Sequence, residues 1–150
     1  MSTATDARTV PVTSQLATFW LDGDLYGVEV EHVQEVLRSQ SITRVPLAPP
    51  AVAGLINLRG QVVTAIELRE RLGLPARPEG NDAVVIVVRL RGEVVSLLVD
   101  TIGDVVDVAG DDFELPPDTL DGTVRELIRG AYKLDGQLLL ALDVHRAVGV

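Results

Sequence analysis

The chain has 150 residues, a length that suits one domain able to bury a core without help from metals or disulfides. It contains no cysteine, which excludes a disulfide framework and a thiolate metal site. The formal net charge is −9 at pH 7 and only 3% of the residues are aromatic, so the chain lacks the clustered cations and stacking rings of a nucleic-acid-binding surface. We expect no nucleic-acid partner, and the predominance of arginine over lysine favours protein partners.

The N-terminal segment carries no recognisable targeting signal. Residues 1–15 lack the basic and apolar regions of a secretory signal, and no apolar run approaches the ~20 residues of a membrane span. We therefore expect a cytoplasmic protein without direct membrane insertion. Residues 1–14 are polar and non-periodic, which predicts a disordered tail.

The first half of the chain alternates short apolar segments with turn signals. The residues at 22–24 and the pair Arg59-Gly60 favour tight reversals between apolar strands. The helical spacing of Val33, Val36 and Leu37 favours a short helix between the two hairpins. The predicted elements are strands over 17–21 and 25–30, a helix over 31–38, an extended proline loop over 45–50, a hairpin over 54–68, a helix over 67–72 and a linker over 75–82.

The second half repeats this plan. The hairpin over 54–68 recurs in altered form over 130–144, so we expect two half-units built alike. The predicted elements are strands over 83–90 and 93–99, a proline segment over 115–117, a hairpin over 130–144 and a helix over 143–148. Four or five short strands in each half would leave open edges unless they close, which predicts a mainly β fold of two small packed barrels.

The two copies of the hairpin differ at the turn, where Arg59 corresponds to Asp135. A residue that is needed for packing should occur in both copies of the hairpin, whereas a residue that is needed for binding can occur in only one. The neighbouring Gly60 and Gly136 match, and we expect both to take positive φ in their turns. From the residues alone, Arg59 is either an ordinary exposed turn residue or a binding residue.

No constellation in the sequence supports catalysis. Asp100-Thr101 is similar to the start of the aspartic-protease turn, but Ile102 interrupts it and no second copy supplies the paired carboxylate. His32 and His145 lack metal-ligand spacing and are expected at the surface or half buried. No serine lies in a glycine-flanked elbow, and no glycine-rich loop precedes a helix. We expect no enzymatic activity, no cofactor and no metal.

A series of short motifs carries a more specific signal. The motifs are Phe19, Tyr26-Gly27-Val28, Val33-Gln34-Glu35-Val36, Ile42-Thr43-Arg44-Val45-Pro46, the run from Gly54 to Gly60, and Leu98-Val99-Asp100. In this order and at this spacing they resemble the CheW family of chemotaxis coupling proteins, over about residues 15–150. The Asn-Leu-Arg-Gly hairpin preceded by Val-Gln-Glu-Val is the most specific part of the resemblance.

The resemblance implies a fold, an activity and partners. The fold would be two intertwined five-stranded SH3-like barrels with a few short helices, and there would be no catalytic activity. The protein would couple the cytoplasmic tips of methyl-accepting chemoreceptors to the regulatory domain of the histidine kinase CheA, as a scaffold recruited to receptor arrays at the inner face of the membrane. Apolar residues at the barrel ends would pair with the like-folded kinase domain.

The resemblance also implies candidate interface residues. In the family, the groove between the barrels is associated with receptor binding. Glu35 and Arg59 match a glutamate and an arginine that pair in family members. The candidate receptor or kinase contacts are Val33, Glu35, Gly54, Asn57, Leu58 and Arg59, and the structural turn positions are Gly60 and Gly136.

Two departures from the family pattern and two alternative functions remain. Thr64-Ala65 stands where Pro-Val is usual, and Glu67 where Asp is usual, which affects the expected strand and helix cap rather than the candidate interface. One alternative is a small ligand-binding or enzymatic barrel with its site in the inter-barrel groove. The other is a coupling module of a kinase pathway unrelated to chemotaxis.

Overall fold

The computed structural model describes residues 13–115, 120 and 122–149. Within these residues the chain is mainly β, with eleven strands, three short α-helices and two 3-10 helices. The strands are β1 (Thr13–Leu21), β2 (Asp24–Glu29), β3 (Val33–Leu37), β4 (Val52–Leu58), β5 (Gln61–Glu67), β6 (Val84–Leu90), β7 (Glu93–Val99), β8 (Thr101–Ala109), β9 (Phe113–Glu114), β10 (Ile128–Leu134) and β11 (Gln137–Leu142). The helices are α1 (Leu68–Arg71), α2 (Gly122–Leu127) and α3 (Val144–Val148), and the 3-10 helices are Val30–His32 and Gly110–Asp112.

The first strand begins inside the predicted tail. β1 starts at Thr13 because residues 13 and 14 pair with the end of β8, so these two residues are strand. Residues 1–12 of the predicted tail lie outside the described residues, as do Pro116 and Pro117 of the predicted proline segment.

Four two-residue turns join the hairpins of the described chain, with a glycine in each. Gly60 has φ 89° and Gly136 has φ 73°, the positive values that the repeat predicted. Arg59 also has a positive φ, 51°, which makes its turn type I′, the type whose twist suits a two-residue hairpin. In the matching turn only Gly136 has a positive φ, so the two copies differ in backbone conformation as well as in sequence.

The five-stranded sheet has the order β3-β6-β7-β5-β4 and closes on itself. Its two ends meet through the segment that follows β3, where Thr43 bridges Leu55 with N–H to O=C distances of 2.8 Å in both directions. We call this closed sheet barrel 2. The term seam denotes the line along which β3 and its following segment approach β4 and the β4–β5 turn. Closure protects edges that would otherwise be free to pair with other chains.

The six-stranded sheet follows the same plan, with the order β8-β1-β2-β11-β10-β9. The two end strands, β8 and β9, are consecutive in the chain and are separated only by the second 3-10 helix. Since β8 pairs with β1 and β9 pairs with β10, this continuous segment covers both ends of the sheet. We call this closed sheet barrel 1; it has five long strands and one strand of two residues.

Each half of the chain contributes its first hairpin to the other half's barrel. In barrel 1, β2 pairs in parallel with β11, and in barrel 2, β7 pairs in parallel with β5. The intertwined arrangement expected from the resemblance is confirmed. The linker over 75–82 connects α1 to β6 within the part of the chain that builds barrel 2, so it does not separate the two barrels.

Three apolar clusters fill the fold. One lies inside barrel 2 around Val87 and another inside barrel 1 around Leu139. The third lies between the barrels and combines Phe19 of barrel 1 with Ile86 and Val88 of barrel 2. Successive residues of β6 therefore face different clusters, which explains why this strand reads as an unbroken apolar run.

The helix predicted over residues 31–38 is wrong. One turn of 3-10 helix ends at His32, and β3 follows as a strand paired antiparallel with β6. Val33 and Leu37 are half buried, whereas Val36 is 42% exposed. Pairing with β6 overrides the weak helical spacing, because strand preference is decided largely by the neighbours a segment meets.

The helices predicted over 67–72 and 143–148 are confirmed as α1 and α3. Each begins after an acidic residue, Glu67 or Asp143, whose side chain accepts a hydrogen bond from a backbone N–H of the first turn. The donor distances are 3.3 Å at Arg69 N and 3.1 Å at Arg146 N. Glu67 therefore caps its helix, although the family resemblance leads to aspartate being expected there.

Candidate functional site

An ion pair spans the seam of barrel 2. Arg59, in the β4–β5 turn, donates two hydrogen bonds to Glu35 on β3, at 2.8 Å from Nη1 to Oε2 and 2.5 Å from Nη2 to Oε1. The Arg59 side chain is 72% exposed and that of Glu35 is 20% exposed. The bidentate contact orients the guanidinium group while most of its surface stays accessible to a partner.

Both members of this pair keep their charge at neutral pH. Hydrogen bonds from Arg59 are the main cause that lowers the pKa of Glu35, assisted by the positive charge and opposed by burial. The same hydrogen bonds raise the pKa of Arg59. The seam therefore presents a permanently cationic group at a defined position.

Local backbone irregularities place the two side chains. The pairing of β3 with β6 shifts register between Val33 and Glu35, and a bulge of this kind changes the direction of the side chains that follow. On the other side of the seam, the Asn57 side-chain oxygen accepts a hydrogen bond from Gly60 N at 2.8 Å. This bond closes the turn and holds Arg59 opposite Glu35.

Gly54 allows the seam to close. A Cβ at this position would collide with the backbone carbonyl of Thr43 and with the side chain of Ile42. The backbone there has φ 150°, and β4 shifts its register against β5 between Val52 and Gly54. Close approach of two backbones is thus a sufficient physical reason for glycine at this position.

The other candidate interface residues are less accessible to a partner protein. Leu58 is 8% exposed and packs inside barrel 2, and Val33 is half buried against the cluster between the barrels. Asn57 is exposed, but its side-chain oxygen is already bonded within the turn. Of the six candidates, Arg59 therefore offers the largest accessible charged surface.

A second and more buried charge cluster was not predicted. Arg69 in α1 is 7% exposed and donates to both carboxylate oxygens of Asp100, at 2.8 and 2.6 Å, and to Pro75 O at 2.8 Å. Arg77, in the linker, bonds to Asp100 at 3.2 Å and to Glu67 at 2.7 and 3.1 Å. The sequence placed Asp100 in a motif but offered no partner, because these groups come from three separate segments.

The same cluster ties the two barrels together. The carboxylate of Asp100 also accepts the backbone N–H of Asp22, in the first turn of barrel 1, at 2.9 Å. Burial alone would raise the pKa of Asp100, but the hydrogen bonds from Arg69 and Asp22, with the charges of Arg69 and Arg77, lower it to about 2. With its charges satisfied internally, this cluster acts as a structural connection.

The surface also exposes large apolar side chains. Leu47, after β3, is fully exposed and has a positive φ of 64°. The other exposed apolar residues are Val36, Ile42, Val45, Val62, Ile102, Val105, Leu115 and Leu138.

Among the described residues, none of the helices has the length and apolar character to cross a membrane.

The space where a ligand site was considered holds apolar side chains. The cluster between the barrels occupies the centre of their interface. A groove of ≈ 420 Å³ lies instead beside barrel 2, between the segment after β3 and the linker. Glu67 and Arg77 line this groove but are bonded to each other, so they are not free to bind a ligand.

The fold and the seam define a double-barrel β protein that exposes an anchored arginine. Residues 15–149 match a family model described as the CheW-like domain. The chain is 30% identical over 136 residues to the chemotaxis protein CheW of Treponema pallidum (strain Nichols), covering 88% of this chain and 80% of that protein. It is also 30% identical over 131 residues to the chemotaxis protein CheW of Bacillus subtilis (strain 168), covering 87% and 84%.

A solved structure gives the same result. The crystal structure of the scaffolding protein TtCheW from Thermoanaerobacter tengcongensis aligns with a TM-score of 0.81 and 29% identity, over 91% of this chain and 93% of that one. The chain belongs to the CheW family, and its fold is that of a chemotaxis scaffold. The expectation of a non-catalytic adaptor is confirmed by this membership.

Proposed function

We propose that the protein couples transmembrane chemoreceptors to the histidine kinase CheA, with the seam of barrel 2 as its receptor-binding surface. The observation that carries this proposal is the anchored and exposed guanidinium of Arg59. Arginine is favoured at interface centres because its planar guanidinium can form two parallel hydrogen bonds with one carboxylate. A guanidinium that is already oriented also loses little conformational entropy on binding.

The chemistry of the seam favours a receptor tip with an acidic or carbonyl-rich surface. Glu35 neutralises one edge of the guanidinium of Arg59. The remaining N–H groups and the planar face of the guanidinium are open to a partner. Gly54 and Asn57 support this surface by setting the seam and the turn. Leu58 and Val33 support it from the cores behind.

The kinase would bind elsewhere on the barrels. Exposed apolar side chains such as Leu47 and Val105 are the kind of surface that a like-folded regulatory domain of CheA can cover. Separate surfaces would allow both partners to bind at once. The protein would act in the cytoplasm, at receptor arrays on the inner face of the membrane.

The test is Arg59→Ala, with folding and receptor binding measured on one preparation. Loss of an arginine at an interface centre should weaken co-sedimentation with receptor-containing membranes by roughly thirtyfold. The urea midpoint should change little, because exposed ion pairs contribute little to stability. Arg91→Ala is the matched control, since Arg91 precedes Gly92 in the β6–β7 turn with a φ of 50°.

Two further variants separate anchoring from direct contact. Asp135→Ala alters the matching turn of barrel 1 and should leave receptor binding unchanged. The exchange Glu35→Arg with Arg59→Glu keeps an ion pair but moves the positive charge, and it should not restore binding if Arg59 itself contacts the receptor. Equal binding losses in Arg59→Ala and Arg91→Ala would show that Arg59 is an ordinary turn residue.

A further inference from the structure

The fold brings together two histidines from opposite ends of the chain. His32 ends the first 3-10 helix, just before β3, and His145 lies in the first turn of α3. Their ring centroids are 5.5 Å apart and the rings meet edge to face at 83°. These are the two histidines of the chain, so no local spacing in the sequence could have indicated the contact.

Two carboxylates lie beside His32. Ligand atoms of Glu29, Glu31 and His32 all lie within 4.8 Å of one another. Glu31 is exposed, whereas Glu29 is half buried and accepts a hydrogen bond from Arg129 at 2.7 Å. Imidazole and carboxylate together are ligands of choice for zinc and related first-row ions.

The separation of the rings suits two ligands of one ion. Zinc-to-nitrogen bonds of about 2.0–2.1 Å place the metal roughly 3.2 Å from each ring centroid, so two histidines on a tetrahedral ion have centroids roughly 5.2 Å apart. The observed 5.5 Å is close to that value. Glu31 is exposed and its carboxylate lies within 4.8 Å of a ligand atom of His32, so it is the candidate for a third ligand.

We infer that His32, His145 and Glu31 form a binding site for a transition-metal ion of the zinc type, with Glu29 as a further ligand or as a hydrogen-bonding support held by Arg129. With Glu29 as the support rather than a ligand, the fourth coordination position would stay open for water or for a partner's side chain. The site goes beyond the coupling function, on which it does not depend.

Binding at this site would join distant parts of the chain. His32 immediately precedes β3, the strand that carries Glu35, and His145 belongs to the helix that ends the described chain. A bound ion would therefore fix the start of β3 against α3. Since an ion that binds only the folded chain stabilises it, the melting temperature should rise with ion concentration.

The experiment is a zinc titration of the full chain, without a polyhistidine tag and after removal of metals with a chelator. Calorimetry should show one Zn²⁺ per chain. His145→Ala and Glu31→Gln alter exposed side chains, so both should fold. Each should weaken binding by at least about tenfold, because even indirect supports of metal ligands commonly contribute about 10–100-fold. Glu93→Gln is the control, since Glu93 is an exposed carboxylate at the start of β7.

A second readout separates ligation from simple charge attraction. Cobalt substituted for zinc should give the visible absorption of a four-coordinate ion in the wild type and lose it in His145→Ala, while the melting temperatures without metal stay equal. Unchanged affinity in His145→Ala, or the absence of saturable binding of one ion per chain in the wild type, would overturn the inference.

Discussion

Arg59 and Arg91 show which property of a residue carries information about function. Both precede a glycine in a turn of barrel 2, with φ of 51° and 50°. Backbone strain is therefore common to the two and does not distinguish them. Arg59 differs because it reaches across the seam to Glu35, and this anchoring depends on a strand that lies far away in the sequence.

Asp100 allows a test through pH. Its folded pKa of about 2 lies below the ordinary value of 3.8, so its ionised form stabilises the fold above about pH 4 and that contribution is lost as the pH falls towards 2. After allowance for solvent screening, the contribution is about 1–2 kcal/mol. Asp100→Asn should lower the free energy of unfolding by at least this amount at pH 7.

The pH dependence of unfolding shows whether the loss of stability in Asp100→Asn comes from the removed carboxylate. Urea unfolding of Asp100→Asn should depend less steeply on pH between 4 and 2 than unfolding of the wild type, because the titrating group has been removed. Asp135→Asn, at an exposed turn, is the control and should keep the wild-type slope. Identical slopes in all three proteins would mean that the contacts of Asp100 with Arg69 and Arg77 do not stabilise the fold.

At the scale of elements, the sequence predicted the hairpins well because their signals are local. Apolar runs around a glycine turn define β4 and β5, and the repeat pointed to β10 and β11. β3 was mistaken for a helix because five residues are too few for a period to be decisive. Its identity is settled by pairing with β6, which no local pattern reveals.

The candidate site was predictable only in part. Glu35 and Arg59 came from the family resemblance, and the structure shows the contact between them. The reason for Gly54 was not visible in the sequence, since it depends on how closely the segment after β3 approaches β4. Likewise, Arg69 gave no signal of its own because its partner Asp100 follows a strand of another segment.

Gly54→Ala tests how much the closed seam contributes to the stability of barrel 2. The added Cβ would push Thr43 away from Leu55 and break their two hydrogen bonds. Overpacking of this kind should cost about 1–3 kcal/mol in the free energy of unfolding, measured with urea. Gly122→Ala is the control, since a Cβ there meets nothing within 4 Å. Equal stability of the two variants would show that the seam tolerates displacement.

For the whole molecule, exchange of hairpins makes the barrels interdependent. Barrel 2 needs β6 and β7 from the second half, and barrel 1 needs β1 and β2 from the first. The apolar cluster between the barrels and the charges around Asp100 add contacts across the boundary. The residue pattern by itself revealed the repeat, whereas the exchange was expected only from the family resemblance, because parallel pairs such as β2 with β11 join segments from opposite ends of the chain.

A fragment that ends at residue 77 should therefore fail to fold. It would keep β3, β4 and β5 but lose β6 and β7, which lie between β3 and β5 in barrel 2. Its NMR spectrum should be poorly dispersed and its thermal melt should lack a sharp transition, whereas the full chain should unfold in one step. A dispersed spectrum from the fragment would contradict the interdependence of the barrels.

The most direct test of the coupling function is a three-component sedimentation with receptor-containing membranes, the kinase CheA and this chain. The kinase should enter the membrane pellet only when the chain is present, and Arg59→Ala should reduce the pelleted kinase while leaving binding between the chain and the kinase intact. Kinase that pellets equally well without the chain, or a chain that binds either partner only in the absence of the other, would contradict the proposal.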